Sequence, residues 1–477
     1  MTSLLQLPND IIREICEYLE PKEFRAVKLS CKKLYVLTDE DRFIQNATLL
    51  TIHTCYCVFE KKQNIFITGV GGTGKSYTLR KICELAPKYG RTHAITAPTG
   101  RAACLFEGGQ TIHSFSGLKL AKITSEEIVE NFKRYKKVPG KKNWEEIDLL
   151  IIDEISMLGA SLLEKINICA RLSRGVNSPF GGIQIVFSGD FLQLMPVFDQ
   201  LAFTSPVWNQ LKFTTIHMTI PVRQCDDRNY FYLLNRIRTC TFTPQDIKLL
   251  KSRLLPYDED LMIKPTKIYP KNIDVELINQ AEFKKITNPI DFSAHAADVI
   301  VERIMINHNI VYRPSTSISV AEARKKLEIS LLRQCPNLIE FKVDGQYILT
   351  MNLNVKAGLV NGARCVYLGN GTFMFVKGCI LTIKPHEFFF PLANNLYLKR
   401  LQLPLKLGYA TTIHSSQGMT LDLAKMSLGK DVFDDSMTYV ALSRVKSLDA
   451  LYLTDFDPSK IKASPLALKF FAWNQRD

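Results

Sequence analysis

The chain has 477 residues, of which 46% are hydrophobic and 23% charged, a composition that excludes a disordered or fibrous protein. Lysine and arginine number 61 against 47 aspartate and glutamate, and the net charge of +14 favours a polyanionic partner such as nucleic acid, although solubility also explains it. The 12 cysteines form no C-x-x-C pair, which argues against a zinc site.

The hydropathy of the sequence predicts that the chain does not insert into a membrane. No apolar run approaches the ~18 residues of a membrane span. The first ten residues lack the basic and apolar regions of a secretory signal. We therefore expect a soluble intracellular protein.

Residues 1–45 show the apolar spacing of short helices. Ile11, Ile15 and Leu19 recur four residues apart, and Pro21 then interrupts the pattern before a second helix. Two short helices cannot bury both apolar faces by themselves. We expect them to pack either on the rest of this chain or on another protein.

Short apolar runs alternate with helical patterns from residue 46 to residue 207. The runs predict four strands, at 64–67, 93–97, 149–152 and 183–187. Each run is apolar on both faces, as a buried parallel strand is. The alternation predicts an α/β domain with helices on both sides of a parallel sheet.

Residues 208–477 repeat this alternation less regularly, with strand-like runs at 265–270 and 408–413. Residues from about 340 to 400 are rich in Gly, Asn, Val and Phe, which predicts a small β insertion. We find no internal repeat. The sequence thus predicts three parts, at 1–45, 46–207 and 208–477.

A phosphate-binding pattern, G-x-x-x-x-G-K-[ST], follows the first predicted strand. Its residues are Gly69, Gly71, Gly72, Thr73, Gly74, Lys75 and Ser76. The glycines let backbone N–H groups wrap phosphates, and the next helix adds its positive dipole. We expect Lys75 to reach the β- and γ-phosphates of ATP and Ser76 to hold Mg²⁺.

Two carboxylates, Asp153 and Glu154, end the third predicted strand, at the sheet edge that carries the phosphate loop. We expect Asp153 to bind Mg²⁺ and Glu154 to orient and deprotonate the attacking water. The acidic pair favours an ATPase, since no N-K-x-D guanine signature is present. Gln193 follows the fourth strand, either as a γ-phosphate sensor or as an ordinary polar loop residue.

Eight segments, in this order, resemble the motifs of superfamily-one DNA helicases, specifically the PIF family, which is related to the RecD-type enzymes. Besides the phosphate loop they are 96–103, 111–115, 153–157, 189–194, 223–224, 412–418 and 439–444. The resemblance implies two RecA-like P-loop motor domains with a β insertion. It also implies an ATP- and Mg²⁺-dependent DNA helicase or translocase that moves 5′-to-3′ in replication, repair or recombination.

The resemblance assigns further roles. Arg223 and Arg444 would be arginine fingers from the second motor domain, each able to raise the rate by about 10³ to 10⁵. Six residues would line the single-strand channel and contact phosphates or stack on bases, namely Thr99, His113, Phe115, Thr412, His414 and Gln417. For His113 and Phe115 the alternative is core packing. Ser415 stands where the family usually has lysine.

The N-terminal segment resembles an F-box, beginning at Leu7-Pro8 and ending near Tyr35. Such modules bind the Skp adaptor of SCF ubiquitin ligases, which would cover the apolar faces of residues 1–45. An F-box implies a eukaryotic cell or a large virus growing in one, so we expect the protein in the nucleus or at a viral replication site. The helicase resemblance implies single-stranded DNA and DNA junctions as partners. The alternative function is an F-box recruitment protein whose motor mainly binds DNA.

Overall fold

The computed structural model describes residues 39–103, 105–118, 123–196, 198–257, 261, 263–271, 275–306, 309–354, 357, 359–376, 378–392 and 396–474. The F-box helices predicted within 1–38 lie outside the described residues. The described chain divides into two compact units. The described residues of the first unit fall within 39–96, 123–190 and 196–231. The described residues of the second unit fall within 97–122, 191–195 and 232–474.

A parallel sheet forms the centre of the first unit. The first six strands of the chain are β1 Ile65–Thr68, β2 His93–Ala97, β3 Gln110–Thr111, β4 Leu149–Ile152, β5 Gln184–Gly189 and β6 Thr214–His217. Five of them run parallel in the order β2-β4-β5-β1-β6, whereas β3 belongs to the second unit. The four apolar runs are confirmed as strands β1, β2, β4 and β5, and all residues of β1, β4 and β5 are buried.

Strand β6 corrects the predicted boundary at residue 207. It pairs with β1, with Thr214 opposite Ile65 and His217 opposite Thr68, and it therefore completes the first sheet. The first unit extends to residue 231. The sequence Thr-Thr-Ile-His at this edge strand carries one apolar residue in four, too weak a signal for a buried strand.

The described residues form helices in both units. They are α1 Asp39–Phe59, α2 Lys75–Leu85, α3 Gly100–Ala103, α4 Ile112–Ser116, α5 Ser125–Tyr135, α6 Lys141–Glu146, α7 Ala160–Arg174, α8 Pro206–Gln210, α9 Arg228–Arg238, α10 Pro244–Lys251, α11 Val275–Lys284, α12 Val320–Gln334, α13 Ile413–Ser416, α14 Met437–Leu442 and α15 Pro465–Asn474. Helix α5 starts at a capping box in which Thr124 and Glu127 each accept the other's backbone N–H. Helix α1 crosses the predicted boundary after residue 45, because no Gly or Pro interrupts it.

Among the described helices, none is long and apolar enough to span a membrane.

A second parallel sheet lies in the second unit. The remaining strands are β7 Thr266–Tyr269, β8 Ile290–His295, β9 Ala297–Ile306, β10 Asn309–Pro314, β11 Leu338–Lys342, β12 Gln346–Leu349, β13 Arg364–Gly369, β14 Thr372–Phe375, β15 Ile380–Thr382, β16 His386–Pro391, β17 Leu396–Gln402, β18 Leu405–Leu407, β19 Ala410–Thr412, β20 Ala424–Leu428 and β21 Leu451–Phe456. The parallel sheet has the order β19-β7-β20-β21. The two strand-like runs predicted in this region are therefore confirmed as β7 and β19.

The β insertion is larger than predicted. It begins with β8 near residue 290 rather than near 340, and it contains antiparallel sheets of order β10-β9-β17-β16 and β15-β14-β13-β12-β18, with β8 paired to β11. Charged residues such as Glu302 and Arg303 interrupt the apolar run of β9, and this hides the strand from a search for buried apolar segments.

A buried ion pair joins two strands of this insertion. Asp298 on β9 lies opposite Arg400 on β17, and Arg400 Nη2 donates to Asp298 Oδ2 at 2.7 Å with both side chains fully buried. Arg324 of α12 donates to the same oxygen at 2.6 Å. Burial alone would raise the pKa of Asp298, but the two guanidinium groups outweigh it and lower that pKa.

Candidate functional site

The phosphate loop leaves β1 and turns into α2 with the backbone that its glycines permit. Gly72 and Gly74 have φ angles of +88° and +93°, in the left-handed region that favours glycine. Lys75 Nζ donates to the carbonyl oxygens of Gly69 at 2.7 Å and Val70 at 3.0 Å, so the ammonium group lies against the loop.

Asp153 connects the phosphate loop to the ends of two neighbouring strands. Ser76 Oγ donates to its Oδ2 at 3.2 Å, whereas Ser188 Oγ and the Glu154 N–H donate to its Oδ1 at 2.8 and 2.9 Å. Burial raises the pKa of Asp153, although these hydrogen bonds and the charge of Lys75 oppose the rise. Three donors thus fix the orientation of a buried carboxyl group.

The oxygens of Ser76 and Asp153 are the hard donors that Mg²⁺ prefers in proteins. Their hydrogen bond shows that both side chains converge on one point beside the phosphate loop. Mg²⁺ binds few protein ligands and keeps several waters, so two converging oxygens fit such an ion. The geometry therefore suits the metal role predicted for both residues.

Glu154 has a strained backbone. Its φ of 52° and ψ of 46° lie in the left-handed region, which costs a residue other than glycine roughly 1–2 kcal/mol. The following segment packs against the end of β5, where a Cβ added to Gly189 would lie 2.8 Å from the Ile155 nitrogen. The packing of this corner holds the predicted general base in one backbone conformation.

Arg223 lies in the first unit, which corrects its prediction as a finger from the second. The N–H groups of Val222 and Arg223 both donate to the Gly72 carbonyl at 2.9 Å. A Cβ added to Gly72 would lie 2.5 Å from Arg223 Cβ. The register of β6 beside β1 brings this arginine to the phosphate loop that belongs to its own unit.

The other predicted catalytic residues, Gln193 and Arg444, lie in the second unit. Arg444 is buried, and its Nε donates to the Val440 carbonyl at 2.7 Å. The side chain of Gln193 is also buried, and its Oε1 accepts a hydrogen bond from Gln417 Nε2 at 3.5 Å. The predicted γ-phosphate sensor thus contacts a predicted DNA-binding residue.

A short repeat, which is not among the predicted features, forms two similar corners in the second unit. Residues 111–117 read Thr-Ile-His-Ser-Phe-Ser-Gly, and residues 412–418 read Thr-Ile-His-Ser-Ser-Gln-Gly. In each corner a strand ends at the threonine, whose Oγ1 caps the next helix by accepting the serine N–H at 3.1 Å. The signal that reveals the repeat is the seven-residue pattern T-I-H-S-x-x-G.

The six predicted DNA-binding residues all lie in the second unit, but their accessibility differs. His113 and His414 are partly exposed, and burial lowers the pKa of both imidazoles. Phe115 is only 2% exposed, which favours the alternative of core packing over stacking on a base. Thr99 caps helix α3 through the Ala102 N–H at 3.2 Å.

A phosphate loop, an acidic pair at a parallel-sheet edge and a second parallel sheet with a β insertion define a RecA-like P-loop motor. A family model described as PIF1-like helicase matches residues 38–239, and an F-box domain model matches residues 4–46. Both matches agree with the resemblances seen in the helicase motifs and in the N-terminal segment.

Sequence relatives agree with this assignment. The chain is 36% identical over 431 residues to the ATP-dependent DNA helicase PIF1 of Xenopus laevis, covering 87% of this chain and 62% of that protein. It is 34% identical over 431 residues to the human ATP-dependent DNA helicase PIF1, again covering 87% and 62%. The chain spans less than two thirds of the length of these curated relatives.

Solved structures confirm the predicted fold class. The crystal structure of the Pif1 helicase from Candida albicans is similar with a TM-score of 0.67 and 27% identity, over 92% of this chain and 100% of that one. The crystal structure of Bacteroides sp. Pif1 in complex with ADP-AlF4 is similar in fold, with a TM-score of 0.68 and 24% identity over 92% and 97%.

Proposed function

We propose that the protein is an ATP-dependent DNA helicase or translocase, which couples ATP hydrolysis to movement on single-stranded DNA and to duplex unwinding. The hydrogen bond between Ser76 and Asp153 carries this proposal, because it joins the phosphate loop to the acidic strand end that a hydrolytic site requires. The relatives named ATP-dependent DNA helicase PIF1 support the DNA-dependent part.

Each candidate site residue of the first unit has a chemical role in this proposal. The loop N–H groups and Lys75 bind the phosphates of ATP. Ser76 and Asp153 hold Mg²⁺, which when bound offsets the charge of the β- and γ-phosphates. Glu154 orients the attacking water and accepts its proton. Arg223, placed beside Gly72 in the same unit, stabilises the charge that develops on the transferred phosphoryl group.

The second unit supplies the link to DNA in this proposal. Gln193 responds to the γ-phosphate, and its contact with Gln417 gives that response a direct route to the strand path. His113 and His414 stack on bases, while Thr99 and Thr412 contact phosphates. Arg444 acts as a second catalytic arginine.

Finer features complete the proposal. The 5′-to-3′ polarity, the action at DNA junctions in replication, repair or recombination, and a nuclear or viral replication site come from the motif resemblance. The F-box match over residues 4–46 supports binding to a Skp adaptor of an SCF ubiquitin ligase. Forked substrates with only a 5′ or only a 3′ tail test the polarity, and a Leu7→Ala, Pro8→Ala double variant tests adaptor binding.

ATP hydrolysis with and without single-stranded DNA tests the main proposal. We expect strong stimulation that Glu154→Gln abolishes while ATP and DNA binding persist, since the amide cannot accept the proton. Stimulation that survives in Glu154→Gln would remove Glu154 as the base. An unstimulated wild type that still binds DNA would favour the alternative, an F-box recruitment protein whose motor mainly binds DNA.

A further inference from the structure

An exposed aromatic side chain stands on a well-anchored loop of the second unit. Phe433 is 61% exposed although its neighbour Val432 is buried and donates its N–H to the Gly429 carbonyl at 3.1 Å. Further along the loop, the Ser436 N–H donates to the Lys462 carbonyl at 2.8 Å. Because both ends of the loop are fixed, an aromatic face is presented to solvent at a small cost in conformational entropy.

The ring of Phe433 lies against a predicted strand-contacting residue. Its plane is within 16° of the His414 imidazole plane, and the two ring centroids are 6.2 Å apart. His414 lies in α13, within the corner formed by residues 412–418. The two flat rings, from segments nineteen residues apart in sequence, thus form one stacked pair with an accessible aromatic face.

We propose that Phe433 extends the strand path beyond the motif residues, by stacking against one base of single-stranded DNA next to His414. This inference rests on the proposed function, since it deepens the same DNA-binding site. Aromatic faces accept any base, so the contact contributes affinity and register without sequence preference.

The two acidic residues that follow Phe433 in the chain favour a base rather than a phosphate as the bound group. Asp434 lies close enough to His414 to influence its imidazole electrostatically, and Asp435 follows in the chain. Such carboxylates repel a phosphodiester but not the uncharged face of a base. Phe433 should therefore contribute affinity that does not depend on counterion release.

Four variants of the full chain test this proposal. Phe433→Ala removes the ring, Phe433→Leu keeps apolar bulk without a flat face, and Phe433→Trp restores a flat face. Trp473→Ala is the matched control, because Trp473 is 60% exposed in the same unit and its ring centroid lies 6.4 Å from that of Phe470, outside the motif segments. Thermal unfolding checks that each variant is folded.

The measurement is the Kd for a short oligonucleotide as a function of salt, by fluorescence anisotropy. Phe433→Ala and Phe433→Leu should each weaken binding by about 5- to 20-fold, the lower part of the range for lost base stacking. The slope of log K against log salt should stay unchanged, because no phosphate contact is lost. Phe433→Trp should bind like wild type, as should Trp473→Ala.

An abasic site moved along the oligonucleotide gives a second readout. In wild type, one position should weaken binding more than its neighbours, and in Phe433→Ala that position should lose its effect. Wild-type-like binding by Phe433→Ala, a full rescue by leucine, or a changed salt slope would overturn the inference while leaving the proposed function intact. A wild type that binds no single-stranded DNA would overturn both.

Discussion

Replacing Gly72 by alanine tests how closely Arg223 packs on the phosphate loop. The φ of +88° at Gly72 costs an alanine roughly 1–2 kcal/mol. The added Cβ would also lie 2.5 Å from Arg223 Cβ and 3.0 Å from Gln224 Oε1, and such overpacking costs about 1–3 kcal/mol. The two terms sum to about 2–5 kcal/mol.

Gly90→Ala is the matched control, since Gly90 has a φ of +63° and an added Cβ there would meet no atom within 4 Å. Gly90→Ala therefore has only the cost of an alanine at positive φ, without the overpacking. Thermal unfolding should show a fall in Tm of about 2–4 °C for each kcal/mol in a domain of this size, so Gly72→Ala should fall further than Gly90→Ala. The affinity for a fluorescent ATP analogue should drop in Gly72→Ala and persist in Gly90→Ala.

Equal Tm values for the two variants, together with unchanged nucleotide affinity in Gly72→Ala, would refute the reasoning. They would mean that the loop and Arg223 separate easily. The assignment of Arg223 to the phosphate loop of its own unit would then lack support.

Three further results are expected. Asp298→Asn should lower stability by about 3–5 kcal/mol, because it leaves Arg400 buried without its carboxylate, and a paired Asp298→Leu, Arg400→Met variant should recover most of the loss in thermal unfolding. Since the pKa of Asp298 is lowered on folding, its contribution should be complete above the ordinary carboxyl pKa and disappear as the pH falls through the lowered value; a wild type and Asp298→Asn that lose stability in parallel on acidification would contradict this. Ser415→Lys should tighten single-strand binding and steepen the salt slope by about 1, and an unchanged slope would place Ser415 off the strand path. In a double-mutant cycle, Gln193→Ala and Gln417→Ala should affect DNA-stimulated hydrolysis non-additively, whereas additive effects would deny their coupling.

Local signals made much of the candidate nucleotide site predictable. The phosphate loop and the acidic pair are each written in consecutive residues, and apolar runs marked the buried strands on which they stand. Their convergence at Ser76 and Asp153 followed from the rule that parallel strands share a carboxyl edge. No long-range information was needed for this part of the fold.

Side-chain direction and weak strands were beyond the sequence patterns. Phe115 lies inside a recognisable motif, yet a motif does not tell which face of a one-turn helix meets the core. Strand β6 has few apolar residues because it lies at the edge of the sheet, and without it Arg223 was assigned to the wrong unit. Two seven-residue corners separated by about three hundred residues are too short to stand out as a repeat.

The left-handed backbone of Glu154 lowers the stability of the fold at a residue that we propose is needed for turnover. Glycine or asparagine would relax the strain there and raise the stability of the fold by roughly 1 kcal/mol, while removing the carboxylate that we propose as the general base. If stability of the fold were the only requirement, the replacement would be favoured. A glutamate in this conformation is therefore what we expect if the chemistry proposed for this corner is used.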